Sequence, residues 1–103
     1  MASKRSFLVV IDDYTDADAL SRRMAIRPTH LAEATNRRQA GVLVSGGAVL
    51  DSHESGKMIG SALVVNAETQ EQVIELLKSD SYCTGKAWNI ESARIFPYRE
   101  ADF

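Results

Sequence analysis

The chain contains one cysteine, two prolines and two histidines, and no long apolar run. Each shortage argues against a class of protein. A single cysteine, Cys83, cannot close an internal disulfide, so packing has to hold the fold, and the reducing cytoplasm is the expected compartment. The longest apolar stretches, Phe7–Ile11 and Ala62–Val65, fall far short of the roughly 20 residues a membrane helix needs, so no membrane partner is expected. Basic charge is not in excess either. Twelve Lys plus Arg against 14 Asp plus Glu leave a net charge of -2, with no field to hold a phosphate backbone, and nucleic acid is not an expected partner. The opening MASKRSFLVVIDDY places basic residues before an apolar run, but acidic residues follow at once and no small-residue cleavage site does, so no signal peptide is expected.

What is present suits one domain spanning residues 1–103. At 103 residues and 45% hydrophobic composition, the chain can fill a single core. FLVVI (Phe7–Ile11) reads as a strand, bounded by the turn-forming DDYTDAD. Asp16 to Ala40 has helical periodicity, with Leu20, Met24, Leu31 and Ala34 recurring near the 3.6 period and Arg22, Arg37, Arg38 and Gln39 facing water. Pro28 interrupts this stretch, which predicts one helix near 16–26 and a second opening at Pro28. Gly41 ends it. VLVSGGAVL, weakened by Gly46 and Gly47 where a bulge is expected, and IGSALVVN (Ile59–Asn66) form a hairpin. AETQEQVIELLKS carries Val73, Ile74 and Leu77 on one helical face. DSYCTG is a loop, and AWNIESARIF is a last strand ended by Pro97.

The resulting order, βαββαβ, predicts an α+β ferredoxin-like fold with both helices on one face of a four-stranded antiparallel sheet. An antiparallel sheet with one wet face should alternate apolar and polar residues. Here Phe7, Val9 and Ile11 lie on one side of the first strand, with Leu8 and Val10 on the other, and Ala62 and Val64 oppose Leu63 and Val65. A second apolar face of that size predicts burial against a second copy of the chain, and hence a homodimer.

Chemistry centres on RPTHL (Arg27–Leu31), where His30 follows the helix-breaking proline. In the first turn of a new helix, His30 would meet free amides and a positive dipole end, which favours a neutral, proton-accepting ring. Such a ring needs its other nitrogen anchored, usually by a carboxylate. The candidates are Asp80, Asp12, Asp13, Asp16 and Asp18, and spacing alone leaves them open. Other chemistries lack their motifs. There is no GxSxG; SGK (Ser55–Lys57) has Asp51 where a phosphate loop needs glycine and Met58 where it needs Ser or Thr. His30, His53 and Cys83 have no metal-ligand spacing, so no metal is expected. Cys83 reads as a small filler, and Tyr82 and Trp88 as core or interface bulk.

LSRRMAIRPTHL, GVLVSGGAVLD, GKMIGSALVV and SDSYCTGKAWNIESARIFPY together resemble the YCII (YciI-like) family of small, dimeric, ferredoxin-like α+β proteins, from about Phe7 to Tyr98. The helical R-x-x-x-R-P-x-H-L (Arg23–Leu31) with the later Asp-x-Tyr carries the resemblance. It implies dimeric α/β-barrel packing and a small-molecule enzyme without a cofactor. Where an activity has been assigned in the family, it is a lyase reaction, the dehydrochlorination of a chlorinated hydroxyquinol by a His-Asp dyad; the fold also resembles muconolactone isomerase. By position, the resemblance implies that His30 is the general base and Asp80 its orienting partner. Arg23 and Ser61 would form the pocket for an oxyanion, and Asp13 would hold Arg23, with Asp12 and Asp16 as alternatives for that role. One position departs from the family: Ser81 stands where D-P-Y has proline, giving up a ring that fixes the aspartate's backbone. The expected function is proton transfer on a small aromatic or enolisable substrate, leading to elimination or isomerisation. The alternative is a non-catalytic module that binds a small ligand or a protein.

Overall fold

The computed structural model describes residues 5–103; the basic opening through Lys4, read above against a signal peptide, lies outside them. Its elements are β1 (Arg5–Asp12), α1 (Ala19–Gln39), β2 (Leu43–Leu50), β3 (Met58–Ala67), α2 (Gln70–Ser79), a single-turn α3 (Ser81–Thr84) and β4 (Arg94–Tyr98). The strands pair antiparallel in the order β2-β3-β1-β4. This is the α+β, ferredoxin-like βαββαβ arrangement that the strand and helix periodicities predict. Among the described residues no helix is long and apolar enough to cross a membrane.

Period-two alternation makes the core. Phe7, Val9 and Ile11 are buried, and the register sets Phe7 against Val65, Val9 against Leu63 and Ile11 against Ser61. Ser61 is therefore the polar member of an otherwise apolar layer. Val73 and Leu77 of α2 cover this layer together with Tyr82, Ala87 and Trp88. At the start of α2, the Thr69 hydroxyl accepts from the Gln72 amide, satisfying one of the free donors of the first turn. On the reverse face Leu8, Val10, Ala62 and Val64 are half-buried and Phe96 is 49% exposed.

Two elements differ from the sequence expectation. Instead of two helices parted at Pro28, α1 runs unbroken from Ala19 to Gln39 with Pro28 inside it. Proline deprives the carbonyl four residues earlier of its donor. That carbonyl belongs to Met24, and Met24 and Pro28 are both exposed, so water can meet it. The helix is also turned the other way round. Arg23 is buried and Ile26, Arg27, His30 and Arg37 are partly buried, while Leu20, Met24 and Leu31 are 37%, 48% and 44% exposed.

The last strand is shorter and later than predicted. Ala87 and Trp88 both donate their amides to the Tyr82 carbonyl, a 3-10 turn covers Ile90–Ser92, and Pro97 lies within β4 opposite Phe7. Because β4 is an edge strand, the missing proline donor is tolerated there. In β2 the register slips between Leu43 and Ser45, a bulge just before Gly46. A Cβ at Gly46 would come within 2.9 Å of Leu63 Cδ2, so the glycine also permits close approach to β3.

Candidate active site

The inward face of α1 is polar because it closes one side of a cavity. The cavity measures about 210 Å³ and lies between α1, the sheet and α3, with Arg23, His30, Ser61 and Asp80 in its lining. Its other walls include Leu43, Leu63, Val65, Leu77, Tyr82 and Trp88.

His30 and Asp80, 50 residues apart, meet here: His30 Nδ1 lies 2.8 Å from Asp80 Oδ1. The ring is stacked on Tyr82 at 3.8 Å between centroids, and Trp88 meets it edge-on at 5.5 Å. Asp80 ends α2 and caps α3, accepting from the Tyr82 amide at 2.8 Å on Oδ1 and from Arg37 at 2.5 Å on Oδ2. Burial pushes the Asp80 carboxyl up, but the hydrogen bonds from His30 and the Tyr82 amide, with the Arg37 guanidinium beside it, outweigh it and hold the group below the ordinary aspartate value. An ionised carboxylate only accepts, so His30 donates through Nδ1–H and Nε2 is the nitrogen left for the cavity. The helix opening invoked for His30 does not exist, since α1 passes through Pro28; Asp80 and the Tyr82 ring are what orient the imidazole.

Arg23 is 3% exposed and saturated on two sides. Its NH1 donates to both Asp13 oxygens at 2.8 and 3.0 Å, its NH2 to Ser61 Oγ at 3.0 Å, and its guanidinium carbon sits 4.7 Å from the Tyr82 ring centre. Arg23 Nε is buried with no partner among the described residues. Three of the four aspartates between Asp12 and Asp18 each take a different arginine. Asp13 takes Arg23, Asp16 takes Arg22, and Asp12 takes Arg94. Burial raises the Asp13 carboxyl, and Arg23 only partly offsets it. Ser61 Oγ also accepts from Trp88 Nε1 at 3.0 Å. With two N–H groups on its lone pairs, its own O–H is left to donate.

Three residues of this site have no counterpart in the sequence reading. Arg37, expected to face water, binds Asp80. Glu33 Oε1 accepts from both the Ser81 amide (3.1 Å) and the Ser81 hydroxyl (2.7 Å). The third is Arg27, which lines the cavity. The signal for all three is the spacing 23, 27, 30, 33, 37, a charged stripe at helical period that becomes continuous once Pro28 is allowed inside the helix. Ser81 also explains itself here. A proline would stiffen the backbone after Asp80 but has no N–H, whereas Ser81 ties that backbone to α1 through two hydrogen bonds.

His30, Glu33 and Asp80 each bring a ligand atom within 4.8 Å of the others, close enough to consider a metal. However, both Asp80 oxygens and Glu33 Oε1 are already engaged, and the Arg37 guanidinium repels a cation. Burial raises the Cys83 thiol, which suits a half-buried filler.

Residues 7–98 match the model of the YCII-related domain. Aspercryptin biosynthesis cluster protein B of Emericella nidulans is 30% identical over 94% of this chain, and the chain spans 64% of that relative's length. Fusaric acid biosynthesis protein 2 of Gibberella moniliformis is 26% identical, with 96% of this chain and 98% of the relative covered. Among solved structures, 5-chloro-2-hydroxyhydroquinone dehydrochlorinase from Burkholderia phenoliruptrix, in complex with 2,5-dihydroxybenzoquinone, superposes with a TM-score of 0.76 at 19% identity, over 93% of this chain and 95% of that one. That likeness is one of fold.

Proposed function

This chain belongs to the YCII-related domain family, and we propose that it is a small-molecule enzyme that works without a cofactor, with His30 as its general base. The observation that carries this reading is the imidazole whose Nδ1 is tied to a buried, ionised Asp80 while the ring lines a cavity whose remaining walls are largely apolar. His30 Nε2 takes a proton from a hydroxyl, or from a carbon beside a carbonyl. The electron pair moves onto the substrate oxygen, where Arg23 and the Ser61 hydroxyl meet it. Collapse of that oxyanion expels a leaving group from a neighbouring carbon, or the proton returns from His30 to a different carbon, giving elimination or isomerisation.

Size and energetics support this class of substrate. An apolar cavity of roughly 150 Å³ accepts benzene, so about 210 Å³ has room for a substituted ring. A positioned histidine base contributes about 10²–10⁴ in rate, and one preorganised oxyanion donor about 3–4 kcal/mol. These suffice for an activated phenol or an enolisable carbon. The fold neighbour holds 2,5-dihydroxybenzoquinone, a small ring of this kind, and the relatives are named for biosynthesis.

The test is an NMR titration of His30 with hydroxyquinones and lactones, followed by a turnover assay on wild type and His30→Ala. The expected result is ligand-dependent movement of the imidazole signals and a loss of about 10²–10⁴-fold in rate with binding retained. Binding without turnover of any compound in the panel would leave a ligand-binding module instead.

The same reading includes a homodimer. Leu8, Val10, Ala62, Val64 and Phe96 make an apolar reverse face on the sheet, and a second copy laid sheet to sheet would cover it. Sedimentation should give the mass of two chains for the wild type and of one for Phe96→Glu; a monomeric wild type would end the dimer.

A further inference from the structure

Six charged or titratable side chains line the cavity, namely Arg23, Arg27, Arg37, His30, Asp80 and Tyr82. Asp13 neutralises Arg23 and Asp80 neutralises Arg37, each within 3.0 Å. His30 is the base of the reading above and shares Asp80 with Arg37. The remaining charge is Arg27, which has no hydrogen bond or ion pair to any other side chain among the described residues. The cavity therefore holds one uncompensated positive charge beside apolar walls, where its attraction for an anion is stronger than in water. Arg27 is also close enough to the Tyr82 phenol to act on it: burial raises that phenol, and the charges of Arg23 and Arg27 oppose the rise.

We propose that Arg27 is a specificity-determining residue that binds the negative group of the ligand, and that the cavity takes planar aromatic or quinonoid monoanions in preference to their neutral counterparts. This rests on the catalytic reading of the same cavity and narrows its substrate class. Helical geometry supports the arrangement. Arg27 and His30 are three residues apart on one face of α1, with about 5–6 Å between their Cβ atoms. An anionic group on Arg27 and a proton facing His30 Nε2 would then sit at two positions of a single ring. Arg23, one turn earlier, is committed to Asp13 and Ser61, so it meets the oxygen that becomes charged during reaction, while Arg27 meets the charge already present. A guanidinium suits a delocalised planar anion because its fork presents two parallel donors.

The delocalised charge has two chemical sources, a carboxylate on the ring or the ionised oxygen of an acidic hydroxyquinone. Matched pairs separate them: 2,5-dihydroxybenzoate against 2,5-dihydroxybenzamide, and 2-hydroxy-1,4-benzoquinone against 2-methoxy-1,4-benzoquinone, with binding measured by calorimetry at neutral pH. Wild type should bind at least one anion about 10-fold or more tightly than its neutral partner. Arg27→Gln should abolish that preference while changing the neutral compound's affinity less than about twofold, and Arg27→Lys should keep part of it. Whichever pair responds identifies the group. Equal weakening of both members, an unchanged preference in Arg27→Gln, or no binding of either anion to wild type at millimolar concentration would each overturn the proposal. The readout is affinity alone, so it separates from the catalytic reading. Anion selectivity lost in Arg27→Gln without turnover in wild type removes the enzyme and keeps the binding residue; turnover with no anion preference does the reverse.

Discussion

Asp13→Ala is expected to cost the fold about 3–5 kcal/mol, because it leaves the Arg23 guanidinium buried without its counter-charge. Arg23 is 3% exposed, so the side chain has no short path to water, and its Nε already lacks a partner among the described residues. For a domain whose total stability is about 5–15 kcal/mol, that is a large fraction. Thermal or urea unfolding measures it, and a loss below about 1 kcal/mol would mean that the pair is not the buried contact described. The informative second arm is the double variant Asp13→Leu with Arg23→Met. Replacing both charges with apolar groups is often neutral or stabilising, so the double variant should recover most of the loss while abolishing the donor aimed at Ser61 and the cavity.

The pH response of Asp13 has the opposite sign from the usual acid. Its carboxyl is raised in the fold, so the stability it contributes is full below the 3.8 of an unfolded aspartate and is lost as pH rises through the folded value. The ion pair is therefore a feature the fold carries at a cost. What it supplies is a guanidinium fixed against Ser61, Tyr82 and the cavity.

The same trade explains which parts of this protein are legible in its sequence. The sheet is legible because its residues obey one requirement: Phe7, Val9, Ile11, Leu63 and Val65 alternate and are buried, and the βαββαβ order follows. Helix α1 obeys a different requirement. Its inward stripe carries the cavity's charged side chains Arg23, Arg27, His30 and Arg37, so hydrophobic periodicity points to Leu20, Met24 and Leu31, which are the exposed side. Pro28 misleads for a related reason, since the carbonyl it orphans lies on that exposed side where water substitutes for the missing donor. Asp80 and Ser81 read as a loop because a four-residue helix has no periodicity to detect, though Asp80 as its cap is the type of residue that position selects.

For the site, spacing left five aspartates open as the partner of His30, and a separation of 50 residues can only be closed by the fold. The resemblance named Asp80, and the fold brings those two side chains to 2.8 Å. The assignment of Asp13, Asp16 and Asp12 to three different arginines is likewise invisible in one dimension. It depends on Asp13 pairing with Trp88 across an isolated bridge, which turns its side chain inward while its neighbour Asp12 faces solvent.

Asp80→Ala should have the second large effect, and on two properties at once. The carboxylate accepts from three donors, His30 Nδ1, the Tyr82 amide and Arg37. Losing a helix cap costs about 0.5–2 kcal/mol and losing a hydrogen bond to a charged group about 1.5–3. Arg37 is 20% exposed and can turn toward water, which limits the total to about 2–4 kcal/mol. Asp80→Asn should be milder in stability and still damaging in function. Its carbonyl oxygen can keep the Tyr82 amide and His30, but its NH₂ then faces the Arg37 donor, so the amide cannot satisfy all three at once. Turnover in Asp80→Asn should fall on the order of 10³-fold or more, the scale on which an orienting carboxylate matters to a catalytic histidine.

Two measurements separate orientation from simple loss of fold. Nitrogen-15 NMR of the deprotonated His30 ring should show the Nδ1–H tautomer in wild type and a shift toward the Nε2–H tautomer in Asp80→Ala. The wild type should also lose stability as pH falls below 3.8 through the lowered Asp80 value, because the ionised carboxylate contributes stability above the unfolded pKa and protonation removes it. That acid limb should flatten in Asp80→Asn. A histidine tautomer unchanged by Asp80→Ala would show that something other than this carboxylate orients the ring, and the stacked Tyr82 would then be the group to replace next.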